Sequence, residues 1–320
     1  MHVSIGLGRL SGATARSVTG ENLVGGLRPR LASCLPALGG LVESRPRTSR
    51  GVSPCVGKGL HGKSRSILAL DGTLNVFVTR GSTYQGYAEA RLYTTPLGAS
   101  RWTRADWAFT RTDNVPLLSP HIVQAGRNHA DSEFVYAYAT RYAPFKDYGL
   151  HKGPGDAGEI HLLRAAKGAD LTRREAWRFY AGAGAGGAPA WSARQADSKA
   201  VLRDRAAVGW NNSGICVKAL GRYLLITQHE DRSAGKLGVF EVPNAWGPWS
   251  TVWYGTLANA AKGVPATSFF AAFLANSFTQ GGTRFTFTFT GNDALDSFNA
   301  VDGRFTLNMA RKDGRRPSSP

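Results

Sequence analysis

The chain is 320 residues long, 42% hydrophobic and formally +17 at neutral pH, which is enough apolar matter for a substantial core and a length that suits one large all-β domain or two ordinary ones. No apolar run approaches the roughly 18 residues of a membrane-spanning helix. The positive charge is spread along the chain, +5 in residues 1–55, +9 in residues 56–310 and +3 in residues 311–320. No basic stripe therefore marks a nucleic-acid surface, and a dedicated nucleic-acid binder is not the expectation.

The opening MHVSIGLGRLSGATARSVTG lacks the continuous apolar centre of a secretory signal. Residues 1–55 as a whole are rich in Arg, Ser and Gly with almost no strand pattern, and are expected to be disordered or a misread start. GKGLHGKS, residues 57–64, matches the phosphate-loop pattern G-x-x-x-x-G-K-[ST]. That loop functions only between a strand and a helix, whose N-terminal N–H groups cradle the phosphates. Here SILALDGTL follows, a strand, a tight turn and another strand, so no nucleotide is expected. Cys34, Cys55 and Cys216 form no C-x-x-C and have no His at ligand spacing, so no zinc site is expected. Cys216, in GICVKAL, reads as a small buried hydrophobe.

From residue 64 the chain reads as short strands in a recurring order. RSILAL, a DG turn and TLNVFVTR form a hairpin followed by EARLYTT and DWAFT. HIVQA, EFVYAYAT, EIHLLRA and AWRFYAG form a second set. GICVKAL, RYLLITQH, KLGVFEV and STVWYG form a third, and SFFAAFL, RFTFTFT, SFNAV and GRFTL a fourth. Four copies of a four-strand meander predict a β-propeller over residues 56–310. The Gly-rich AGAGAGGAP, residues 181–189, is expected to connect blades, and RKDGRRPSSP, residues 311–320, to be a disordered basic tail.

The order of GKSRSILALDGTL, FVYAYAT, EAWRFYAGAGAGGAPAWS, GRYLLITQHE and NAWGPWSTVWYG resembles a family of five-bladed propellers known mostly as a domain of unknown function. Some of its members are glycoside hydrolases, including endo-arabinanases. The most specific element is RYLLITQH paired with WGPW some twenty residues on. The resemblance covers about residues 60–308 and implies a carbohydrate-active protein, a polysaccharide partner and an extracellular location. Family members carry a Trp- and Asp-rich first blade ahead of the GKS stretch, and residues 1–55 do not match it, so that blade is expected to be degenerate or missing. No cofactor is implied, and a structural calcium ion is not legible from the sequence.

Propeller sites form at one end of the channel, from the residues before each inner strand and after each second strand. This rule selects Lys63 and Arg65, then Arg141 and Tyr142, then His229 and Glu230, then Asp293. Glycoside hydrolysis needs two carboxylates across the scissile bond, one protonated and one ionised. Glu230 and Asp293, from adjacent blades, are the expected pair. Asp131, in NHADSEFVY, resembles an acidic motif of the family, although the strand order puts it at the opposite end. A polysaccharide lyase on an anionic glycan would instead use His229 or Tyr142 as base and Arg141 to neutralise the uronate. Trp246 is the aromatic expected to meet sugar rings. A non-catalytic binding scaffold is the third reading.

Overall fold

The computed structural model describes residues 3–11, 63–82, 86–99, 101–141, 158–204, 206–229, 236–256, 269–274, 277–290 and 298–309. The chain opens with β1 (Val3–Ser11) and continues into a first sheet of β2 (Lys63–Leu70), β3 (Thr73–Ser82), β4 (Gly86–Pro96), β5 (Thr103–Arg104) and β6 (Phe109–Thr110). A second sheet holds β7 (Ser119–Ile122), β8 (Phe134–Thr140), β9 (Glu159–Ala166), β10 (Arg178–Ala183), β11 (Pro189–Ser192) and β12 (Ala200–Arg203). The third is β13 (Ala207–Val217), β14 (Arg222–His229), β15 (Lys236–Val242) and β16 (Ser250–Thr256), and the fourth draws on β17 (Phe269–Phe273), β18 (Arg284–Thr290) and β19 (Phe298–Met309). Every named ladder is antiparallel, and the third sheet is a plain meander, while β12 returns to pair β9 in the second and β5 and β6 both pair β4 in the first. The protein is an all-β propeller with four sheets among the described residues.

Local chemistry explains the hairpins. Asp71 and Gly72 both have positive φ, 46° and 75°, as a two-residue turn of the mirror-image type requires. The turn therefore joins β2 to β3 with no helix after GKS, and residues 57–62 of the phosphate-loop match lie outside the described residues.

The central strands β8, β9 and β15 are buried on both faces, which is why they carry apolar residues at odd and even positions. Phe77, Phe109, Ala137, Leu163, Trp177 and Phe179 form one core between the first and second sheets. Tyr136, Tyr138, Ile160, Leu162 and Leu225 fill the space between the second and third. Ile215, Leu224, Val239, Phe273, Phe285 and Phe305 join the third to the fourth. The second seam is tight because β13 has glycine at 214, where a Cβ would lie 2.7 Å from the Tyr138 ring.

Two expectations change. SFNAV and GRFTL are one continuous strand, β19, and the fourth strand of the last sheet is β1, antiparallel to β19 from Val3↔Met309 to Ser11↔Asp302. Asp302-Gly303 suggests a turn, yet both residues stay in register with β18, opposite Thr286 and Phe285. Residues 3–11 are thus a strand inside a segment whose sequence carries almost no strand pattern. The rest of residues 1–55, with Cys34 and Cys55, lies outside the described residues, as does the tail 311–320. AGAGAGGAP does not connect blades. It turns β10 back on β11 within the second sheet, Phe179 opposite Ser192 and Ala183 opposite Pro189.

Candidate functional site

Inner strands begin, and second strands end, at the same end of the channel, and most of the buried polar and charged side chains among the described residues lie there. A buried polar group is costly unless it is paired, so their partners define what this end can do.

The first group surrounds Glu159, at the start of β9 and only 6% exposed. Arg203 approaches its Oε1 at 2.6 Å, and Arg141 donates from Nη1 to its Oε2 at 3.2 Å. His161, two residues along the same face, places Nε2 3.6 Å from Oε2 and Nδ1 2.8 Å from the Ser198 hydroxyl. Burial pushes the His161 pKa down to about 4, with Glu159 opposing and Arg141 and Arg203 assisting, so the ring is neutral at neutral pH.

The second group is built on Asp204, in the short link from β12 to β13. Its Oδ2 accepts from Thr227 Oγ1 at 2.6 Å and from His229 Nε2 at 3.0 Å, and its Oδ1 accepts from the Tyr254 hydroxyl at 2.8 Å. Burial alone would raise the Asp204 pKa. The hydrogen bonds from His229 and Thr227, the His229 charge and the Tyr254 hydroxyl outweigh it and hold the carboxyl below its ordinary range. With Nε2 of His229 donating to Asp204, its Nδ1 has no hydrogen bond to the described residues. The Tyr254 ring sits 4.4 Å from the His229 ring, tilted by 40°.

Gly238 makes the second group geometrically feasible. It lies on β15 between Thr227 on β14 and Tyr254 on β16. A Cβ there would stand 3.0 Å from Thr227 Oγ1 and 2.7 Å from the Phe240 ring, so the bare backbone leaves the gap through which the tyrosine reaches two strands across.

Closer to the axis, Arg65 on β2 donates from Nε to Thr79 Oγ1 at 3.0 Å. The pKa of His121 on β7 is pushed down to about 3 by burial, with the Arg65 charge assisting, and its Nε2 has no partner among the described residues. Asn212 on β13 donates to Thr140 Oγ1 at 3.2 Å, while its Oδ1 has no partner among the described residues.

The structure therefore brings Arg65, Arg141 and His229 to one end of the channel, and Lys63 is at the same end of β2, opposite Thr79. Asp131 is at the other end, in the turn between β7 and β8, with Lys218 Nζ 3.5 Å from its Oδ1. Trp246 is also at that other end, between β15 and β16, edge-on to Trp191 at 6.3 Å. Glu230, Asp293 and Tyr142 lie outside the described residues. Sequence reasoning missed Glu159, His161 and Asp204. It began the third sheet's inner strand at GICVKAL; β13 starts at Ala207, and the rule that selects residues before inner strands then falls on Asp204.

No known family model matches this chain, and no curated protein matches it. Among solved structures it is similar to the catalytic domain of a GH62 α-L-arabinofuranosidase from Coprinopsis cinerea, at 10% identity and TM-score 0.35, over 82% of this chain and 94% of that one. It is also similar to a glycoside hydrolase family 43 arabinoxylan arabinofuranohydrolase from Bacillus subtilis, at 13% identity and TM-score 0.42, over 80% of this chain and 49% of that one. A third similarity is to the subtype N11 neuraminidase-like protein of A/flat-faced bat/Peru/033/2010 (H18N11), at 13% identity and TM-score 0.40, over 77% of this chain and 61% of that one. The chain thus spans less than two thirds of the second and third of these proteins.

Proposed function

We propose that this protein is carbohydrate-active: it binds a polysaccharide at the end of the channel where the inner strands begin and acts on it with His229 as the proton-transferring group. The observation that carries this reading is the 3.0 Å contact between Asp204 Oδ2 and His229 Nε2. A buried carboxylate fixes the tautomer and orientation of an imidazole and leaves its second nitrogen to take a proton.

Two-carboxylate hydrolysis needs one carboxyl kept protonated near neutral pH. Of the two buried carboxylates described at this end, Glu159 is engaged by two guanidinium groups and Asp204 is held below its ordinary range, so neither suits that role. The hydrolase reading rests on Glu230 and Asp293. Elimination on an anionic glycan rests on described groups. His229 Nδ1 would remove the proton α to a uronate carboxylate, the released electron pair would form the C=C bond as the β C–O bond breaks, and the leaving oxygen would take a proton from water, the proton on His229 passing to solvent afterwards. Arg141, beside Glu159, is the cation that would face the uronate.

The test is incubation with polygalacturonate and with linear arabinan, following reducing ends and ultraviolet absorbance together. Absorbance from polygalacturonate that His229→Ala abolishes is the expected result. Reducing ends without absorbance, retained in His229→Ala and lost in Glu230→Gln, would establish the hydrolase instead. No product from a folded protein would leave a binding scaffold.

A further inference from the structure

Tyr254 is inverted relative to an ordinary surface tyrosine. Such a residue buries its ring and presents its hydroxyl to water. Tyr254 is 48% exposed, one of two large hydrophobic residues so exposed among the described residues, yet its hydroxyl is turned inward and donates to buried Asp204 at 2.8 Å. One ring face is covered by His229 at 4.4 Å, and Phe240 approaches in a T-shaped arrangement at 6.4 Å. With the tip and one face engaged, the exposed area belongs to the opposite face of the ring. The chain holds that face rigidly by a hydrogen bond to a carboxylate that Thr227 and His229 also hold.

We infer that Tyr254 is a stacking platform for the apolar C–H face of a sugar ring, which it would hold on the side of its own ring that faces away from His229. This rests on the reading of that end of the channel as the polysaccharide site. A flat ring ordered before the ligand arrives loses little freedom on binding. The hydroxyl, which in an exposed tyrosine would compete for water, is already satisfied. The platform is therefore a binding element: the sugar it holds is separated from His229 by the tyrosine ring, and Tyr254 is not a catalytic residue.

The test separates the ring from its hydroxyl. Binding of polygalacturonate and linear arabinan would be measured by affinity electrophoresis for the wild type, Tyr254→Phe and Tyr254→Ala, with thermal melts confirming that each is folded. Tyr254→Phe keeps the ring and loses the bond to Asp204; Tyr254→Ala loses both. The expected result is a small loss of affinity in the phenylalanine variant, which keeps the ring but not the bond that orders it, and about a tenfold loss in the alanine variant. Equal weakening in both Tyr254 variants would assign the residue a structural role through Asp204 and overturn the platform. Wild-type affinity in Tyr254→Ala would overturn it as well. A wild type that binds neither polymer would remove the reading of the site itself, and the platform with it.

Discussion

His161 and His121 are histidines that the fold keeps uncharged, chiefly by burial, with folded pKa values of about 4 and about 3. In the unfolded chain each titrates near 6.5. Between 6.5 and the folded values the unfolded state binds more protons, so stability rises with pH across that window. It is complete above about pH 6.5 and is lost progressively as the pH falls. Asp204 acts lower. Its folded pKa is depressed, so its contribution is present above the ordinary aspartate value and is lost as the pH falls through the folded one. Denaturant unfolding from pH 7 to pH 4 should therefore show falling stability, and His161→Gln should flatten that slope by on the order of 1–3 kcal/mol. An unchanged slope would mean that His161 is charged in the folded protein. The same residues show what the sequence conceals. His229 and Arg141 were legible because a topological rule places them at the mouth. Glu159 and Asp204 look like ordinary charges in EIHLLRA and VLRDRAAV, and only the fold reveals that they are buried and paired.

At the scale of elements, the third sheet carries the second polar group because one of its strands has no side chain where two others must meet. Gly238→Ala places a methyl 2.7 Å from the Phe240 ring and 3.0 Å from Thr227 Oγ1. The expected loss is about 1–3 kcal/mol in denaturant unfolding, with Tyr254 displaced from Asp204. Gly168→Ala, where a Cβ meets nothing within 4 Å, is the matched control and should be close to neutral. A neutral Gly238→Ala would show that Phe240 yields without disturbing the tyrosine. Strands with strict alternation, RFTFTFT and EFVYAYAT, were legible to within a residue, because two buried faces and period-two geometry fix them locally. AGAGAGGAP was not, since small residues without alternation read as a linker, and only pairing with β10 and β11 makes them a hairpin.

At the scale of the whole molecule, the last sheet is completed by the first strand. β1 pairs with β19 along its length, from residue 3 opposite 309 to residue 11 opposite 302, a contact across nearly the entire chain that no local pattern announces. VSIGLGRLS carries two glycines and a bulge between Leu7 and Arg9, so its strand character comes from β19 more than from its own propensity. Without it, β19 would present an open row of N–H and C=O groups, which templates association between chains. Removing residues 1–11 should lower the thermal midpoint and shift the protein toward oligomers on size exclusion. Ile5→Pro, which takes one N–H from the strand opposite Leu307, should do the same to a smaller degree. If the truncated chain melts and elutes as the full-length protein does, β19 is the true outer strand of the fourth sheet and the propeller is not closed by its own N-terminus.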